Sequence, residues 1–244
     1  STRALSSAAS DVYKRQQFTP DLMPSDVLGT TVFNMKTNEF DFHQGPIFAD
    51  IVLVDEINRA PAKTQAALFE VMEERQISID GITHKMGELY TILATQNPVE
   101  QEGTYKLPEA QLDRFLMKIT MDYPSLEEEV NILERHHTNA SLIKLDDIKP
   151  AITKEELLSL RALMNQVFVD RTLLQYIALI VQQTRTSKAV YLGASPRASV
   201  AMLQASKAYA LLQGRDFVTP EDIKFVAPYV LQHRLILTAE AEME

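Results

Sequence analysis

The chain has 244 residues, 45% of them apolar and 23% charged, with a net charge of −9 and no cysteine. That length allows one large domain or two small ones around a packed core, and without thiols there are no disulfides and no cysteine metal sites. The acidic balance argues against unaided binding to nucleic acid or to an anionic membrane surface, no stretch is long and apolar enough to cross a bilayer, and the N-terminus lacks the apolar core of a signal peptide, so the expected location is cytoplasmic.

Residues 1–16 read as a leader foreign to the fold. Ser1 to Ser10 are small and polar without a period, and Asp11-Val12-Tyr13-Lys14-Arg15-Gln16 resembles a translated adapter joined to the true frame. The alternative is a native disordered N-terminus. Gln17-Phe18-Thr19-Pro20-Asp21 ends a strand; Pro20 and Pro24 punctuate it, and Ser25 or Asp26 is the expected cap of a short helix. Residues 31–48 alternate around Phe33, Phe40, Phe42 and Phe48, which predicts a hairpin outside the main sheet.

Gly45-Pro46 then turns the chain into Ile51-Val52-Leu53-Val54-Asp55-Glu56. A short continuous apolar run predicts a strand buried on both faces of a parallel α/β sheet, and ligands of such sheets bind at the C-terminal strand ends. Two carboxylates at that position suit the acidic end of an NTP site, Asp55 toward Mg²⁺ and Glu56 as base toward water. By itself the hexapeptide reads first as a buried strand running into a solvated acidic turn; its neighbours move the reading toward chemistry.

Pro61 suits the first turn of a helix whose face carries Ala67, Leu68, Val71 and Met72, with Glu70, Glu73 and Glu74 on a solvated side. Residues 76–83 alternate into Asp80-Gly81, a strong hairpin signal. A second buried strand, residues 90–95, ends in Gln96-Asn97-Pro98, and residues 100–105 read as loop. A short helix covers residues 108–112, and Asp113-Arg114 precedes a third strand at residues 115–121. Beyond Ser125 the pattern is almost wholly helical, with capping boxes at Ser125/Glu128 and Thr153/Glu156 and a last helix opened by Thr219-Pro220-Glu221-Asp222. The boundary is set near Pro124. The expected organisation is a leader (1–16), a partial α/β core (17–124) and a helical lid domain (125–244). The five histidines are not at metal-ligand spacing, His136 and His137 being adjacent on one helix.

Six blocks in order resemble the MoxR family of AAA+ ATPases. They are the run from Phe18 to Asp26, Gly45-Pro46-Ile47-Phe48-Ala49, Asp55-Glu56-Ile57-Asn58-Arg59-Ala60-Pro61, the run from Ala94 to Tyr105, Leu112-Asp113-Arg114-Phe115 and Gly193-Ala194-Ser195-Pro196-Arg197-Ala198. The resemblance implies an α/β fold, an incomplete AAA+ P-loop NTPase core followed by an all-helical lid. It implies ATP and Mg²⁺ as ligands, Asp55 and Glu56 as the Walker B pair, and Asn97 as sensor 1. Arg114 would be the arginine finger toward a neighbouring subunit, and Arg197 sensor 2. It further implies a self-assembled ring, a hexamer, acting like a chaperone on protein clients, von Willebrand A domain proteins among them. The two hairpins resemble the insertions of this AAA+ branch.

These residue types fit the chemistry. Phosphoryl transfer is mainly positioning and charge stabilisation, and guanidinium forks onto phosphate oxygens better than ammonium. One part is missing: none of the seven glycines belongs to a G-x-x-x-x-G-K-[ST] loop, the usual phosphate cradle. The expectation is a fragment cut at both ends and inactive alone. The alternatives are a non-hydrolysing subunit that lends Arg114 in trans, or a magnesium-chelatase-like AAA+ subunit.

Overall fold

The computed structural model describes residues 13–97, 105–137 and 151–243; readings that fall on residues 1–12, 98–104 and 138–150 lie outside it. The chain divides into two compact units, Ser1–Phe115 and Leu116–Glu244, each described by itself.

The first unit runs through β1 (Tyr13–Gln17), α1 (Pro24–Leu28), β2 (Gly29–Asn34), β3 (Glu39–Gln44), β4 (Ile51–Asp55), α2 (Ala62–Glu74), β5 (Gln76–Ile79), β6 (Ile82–Lys85), β7 (Thr91–Ala94) and α3 (Glu109–Leu112). Its sheet is parallel, in the order β1-β4-β7, so the apolar run that ends in Asp55 is central, with ladders on both sides. Val52 and Val54 are buried together with Phe18, Ile47, Ile57, Leu68 and Phe69, which joins the sheet to one face of α2 through a non-directional apolar contact.

Three expectations change here. Tyr13–Gln16, assigned to the leader, belong to β1, which pairs with β4 from Tyr13↔Ile51 to Gln17↔Asp55. A polar strand is admissible there because β1 is an edge strand, with only one ladder to satisfy. Residues 90–95 are not a strand buried on both faces. β7 lies at the other edge among the described residues, and Leu93 is 54% exposed. Residues 115–121 do not form a strand. Their backbone groups pair instead with the C-terminal end of the last lid helix: Lys118 N–H donates to Tyr229 O (2.8 Å), Gln232 Nε2 to Lys118 O, and Arg234 to Leu116 O (3.2 Å). Backbone groups take such partners wherever these lie along the chain, and residues 116–121, though exposed, fall with the second unit, so the unit boundary lies after Phe115 rather than near Pro124.

Both hairpins form, β2 with β3 and β5 with β6, antiparallel and outside the main sheet. Asp80 and Gly81 take φ of +51° and +79°, the positive-φ pair that a two-residue hairpin turn requires. The hairpins meet through the Thr31 hydroxyl on Asp80 and the Phe42 ring on His84, 4.6 Å between centroids. At α1, neither Ser25 nor Asp26 is the cap: Met23 precedes the helix, and the Asp26 carboxylate reaches back to its N–H (2.8 Å).

The second unit holds α4 (Leu126–His137), α5 (Lys154–Gln166), α6 (Arg171–Thr186), β8 (Val190–Leu192), α7 (Pro196–Leu212), α8 (Pro220–Leu231) and β9 (Ile236–Leu237). The Ser125/Glu128 and Thr153/Glu156 boxes close as read from sequence. A short β8–β9 ladder interrupts the helical pattern. The core gathers Ile177, Val181, Met202, Ile223 and Val230 from α6, α7 and α8.

Asp222, in the first turn of α8, has only 2% of its side chain exposed and pairs with Arg215 at 2.5 Å, while accepting the Thr219 N–H at 2.7 Å. Arg215 chiefly holds this carboxyl below the usual carboxylate range, against the effect of burial. A carboxyl depressed by folding contributes its full stability above its unfolded pKa of about 3.9, and the contribution is lost as pH falls from there through the lower folded value. Asp222→Asn should therefore cost about 2–3 kcal/mol at pH 7, less than a fully buried pair, because 27% of the Arg215 side chain remains exposed. The deficit relative to the parent should shrink by pH 3. Urea unfolding followed by circular dichroism checks this; an equal deficit at both pH values contradicts it.

Candidate functional site

Asp55 ends β4, and Thr95 follows β7 directly. The parallel register Val54↔Ala94 brings the threonine hydroxyl to the carboxylates. Thr95 Oγ1 donates to Asp55 Oδ1 at 2.6 Å and accepts the Glu56 N–H at 2.9 Å, so one hydroxyl fixes both acidic residues. The main chain closes the same corner: Thr95 N–H to Val54 O (2.9 Å) and Ile57 N–H to Thr95 O (3.0 Å). Within it Glu56 takes φ 55°, ψ 52°, a left-handed conformation that costs a non-glycine residue about 1–3 kcal/mol and is found where surrounding bonds over-determine it. Its carboxylate pairs with Arg59 at 3.1 Å.

Asp55 also meets Arg15 of β1 at 2.5 Å. The Arg15 guanidinium, then the Thr95 hydroxyl, hold its carboxyl below the ordinary range. An ionised, hydroxyl-oriented carboxylate at a strand end is a suitable hard ligand for Mg²⁺, which typically takes one or two carboxylates, several waters and substrate phosphates. Among the described residues no three His, Cys, Asp or Glu side chains cluster as a metal cage, and such a site needs none.

Asn97 lies at the same edge, three residues past β7, with its side chain exposed. Its carbonyl accepts Asn58 Nδ2 at 3.1 Å. Asp55, Glu56 and Asn97 are thus brought together. Arg114 is in the first unit but elsewhere: it pairs with Glu73 in the last turn of α2 at 3.1 Å and sits 6.0 Å over the Phe69 ring, which meets Phe115 edge-on. Glu73 therefore does more than face solvent.

Arg197 belongs to the second unit. It is exposed in the first turn of α7, where its N–H caps onto Ser195 Oγ at 3.1 Å. The loop before it is fixed to α6 by Arg185 Nε on Ala194 O (2.8 Å) and Ala194 N–H on Thr184 Oγ1 (3.0 Å). A Cβ on Gly193 would lie 2.8 Å from Arg185 Cα and Thr184 O, so this close approach requires glycine.

Sequence reasoning missed Thr95, Asn58 and Arg59 as parts of the site. All three stand inside the quoted blocks; the contacts of Thr95 and Asn58 cross between strands and loops and carry no spacing signal of their own, whereas Arg59 meets Glu56 at i,i+3, a local spacing that could have been read.

Residues 1–117 match the model of the ATPase family associated with various cellular activities, and residues 182–244 match an AAA lid domain. The chain is 48% identical to the uncharacterized protein YeaC of Bacillus subtilis, over 99% of this chain and 75% of that one. It is 44% identical to chaperone MoxR1 of Mycobacterium tuberculosis, over 94% of this chain and 62% of that one. A crystal structure of a candidate ATPase from Cytophaga hutchinsonii superimposes with a TM-score of 0.84 at 39% identity, over 99% of this chain and 76% of that one.

The hydrogen-bond geometry at Asp55 makes a direct prediction. Thr95→Val should raise the Asp55 pKa toward the ordinary carboxylate value of about 3.9, and Arg15→Ala should raise it further. Carboxyl-carbon NMR titration reads both; an Asp55 titration unchanged in both variants contradicts this account of the site.

Proposed function

The chain belongs to the MoxR family of AAA+ ATPases, and from that premise we propose that it carries the hydrolytic and sensing side of a ring ATPase site. The observation that carries the reading is the corner in which Thr95 bonds both Asp55 and the Glu56 backbone while Asn97 is tied alongside. Asp55 is the carboxylate that would hold Mg²⁺, which supplies charge neutralisation on the phosphates when bound. Glu56 accepts the proton of the attacking water, and Asn97 orients that water as sensor 1. Arg114 serves a neighbouring subunit as arginine finger; its seat on Glu73, at the far end of α2 from the Glu56 turn, supports a task outside its own corner. Arg197 acts as sensor 2 from the lid. The assembly is a cytoplasmic hexameric ring that couples hydrolysis to chaperone-like maturation of protein clients, including proteins with von Willebrand A domains.

The phosphate cradle is not among these residues. The chain contains no G-x-x-x-x-G-K-[ST], and backbone N–H groups of such a loop, with the positive end of its helix, are what hold the triphosphate. Asp55 and Glu56 alone would repel it. By this reading the chain as given does not bind ATP, and an ATPase-competent form is this chain joined behind a P-loop-bearing segment of a MoxR-type ATPase.

In that form Glu56→Gln should keep ATP affinity within a few-fold and lower kcat by about 10²–10⁴, the usual contribution of a general base. Steady-state turnover within a few-fold of the parent removes Glu56 from the role. Arg114→Ala subunits should be slow alone, by up to about 10³–10⁵. Mixed with Glu56→Gln subunits they should regain activity, because an intact Arg114 can then face an intact Glu56. Mixed rings shown to form but inactive at every ratio contradict the trans assignment.

A further inference from the structure

Asn58 lies two residues past Glu56 in a 3₁₀ turn, with 5% of its surface exposed. Three of its polar groups have distinct fates. Its backbone carbonyl accepts the Tyr105 N–H at 2.6 Å. Its side-chain Nδ2 donates to the Asn97 carbonyl at 3.1 Å. Its Oδ1 is buried without a hydrogen-bond partner among the described residues. The amide orientation is settled by chemistry: the reverse orientation would set two oxygens against each other at the Asn97 carbonyl. The side chain therefore tolerates a poorly served buried oxygen while it holds the main chain of Asn97. Buried polar groups are normally paired, and an exception calls for a reason.

We infer that Asn58 is a positioning residue for the reaction: it sets the sensor loop at Asn97 relative to the Glu56 turn, and acts on hydrolysis only through Asn97. The inference rests on the sensor role given to Asn97 above. Three features of the geometry support it. The tie joins the turn just after the Walker B pair to the loop just after β7, the two segments whose separation decides where an amide at residue 97 stands relative to the Glu56 carboxylate. It is made to the main chain of Asn97 and not to its side chain, so it sets the course of the loop that carries the amide. The same residue also fixes Tyr105 through its backbone, so both ends of the segment 97–105 are anchored to one turn. A misplacement of about 1 Å at a catalytic group can cost about 10²-fold in rate, so a single internal hydrogen bond is sufficient leverage.

The test uses the ATPase-competent form and, in parallel, the chain as given. Asn58→Asp keeps the shape and removes the donor; Asn58→Ala removes the whole amide and guards against effects of the introduced carboxylate. Both should lower kcat about 10–100-fold with KM for ATP within about 3-fold, since phosphate binding does not involve this turn. Thr64→Val is the structural control. Thr64 is equally buried, and its hydroxyl donates to Leu22 O at 2.6 Å on another part of the core; the variant should lose stability and keep kcat within about 2-fold. The decisive readout is the double-mutant cycle: once Asn97→Ala has removed the sensor amide, Asn58→Ala should lower kcat no further. In the chain as given, amide exchange over residues 94–97 should quicken about 10-fold in Asn58→Ala and not in Thr64→Val. Multiplying losses in the cycle, or Asn58 variants at parental kcat while Asn97→Ala is slow, overturn the inference alone. An Asn97→Ala variant at parental kcat overturns the sensor reading and the inference with it.

Discussion

The hydrogen bonds of the Thr95 hydroxyl are the constraint on which the site depends. A parallel ladder joins β4 to β7 with Val54 opposite Ala94, and the next residue on each strand, Asp55 and Thr95, is thereby within reach of the other. The hydroxyl then spends its donor on the Asp55 carboxylate and an acceptor on the Glu56 N–H. Glu56 stays left-handed because that N–H and the neighbouring Ile57 N–H both have their partners on Thr95. Strain of this kind persists only where surrounding bonds over-determine it. Two adjacent carboxylates on a strand would otherwise point to opposite faces; the left-handed residue breaks that alternation.

Each remaining charged group is seated by a different device suited to its place. Arg114 rests on a carboxylate and beside an aromatic face, with Phe69 itself buried in the core, so a mobile side chain is given one preferred position by a rigid helix. Arg197 is exposed, and the backbone before it is fixed: Gly193 admits the close approach to α6, and Arg185 and Thr184 pin Ala194. A fixed backbone that presents an exposed cation suits a group proposed to meet a ligand rather than a core.

Much of this was legible in the sequence where local chemistry decides. The run Ile51–Asp55 reads as a strand because four apolar residues lead into acids, and the Asp80-Gly81 hairpin follows from two residues able to adopt positive φ. Capping boxes at Ser125 and Thr153 are equally local. What failed depends on partners far along the chain. Residues 115–121 have the apolar content of a strand, but their hydrogen bonds go to the end of α8, and nothing in the segment itself says so. Tyr13–Gln16 look foreign by composition yet pair in register with β4, since an edge strand needs backbone groups more than apolar side chains. Leu93 is 54% exposed on β7, which is an edge strand among the described residues, and the apolar run itself does not tell an edge strand from a central one. Thr95 and Asn58 could be read as polar residues beside a motif; that one would bond both acidic residues and the other the Asn97 carbonyl is a matter of inter-strand register.

Under the proposed function the labour of an ATPase site is divided: acid, amide and cations come from this chain, and the phosphate cradle, whose G-x-x-x-x-G-K-[ST] this sequence lacks, comes from elsewhere. Calorimetric titration of the chain as given with Mg²⁺ and a non-hydrolysable ATP analogue tests that division most directly. The account predicts no saturable heat, and saturable binding in the micromolar range would contradict it by showing that some other segment of this chain holds the triphosphate.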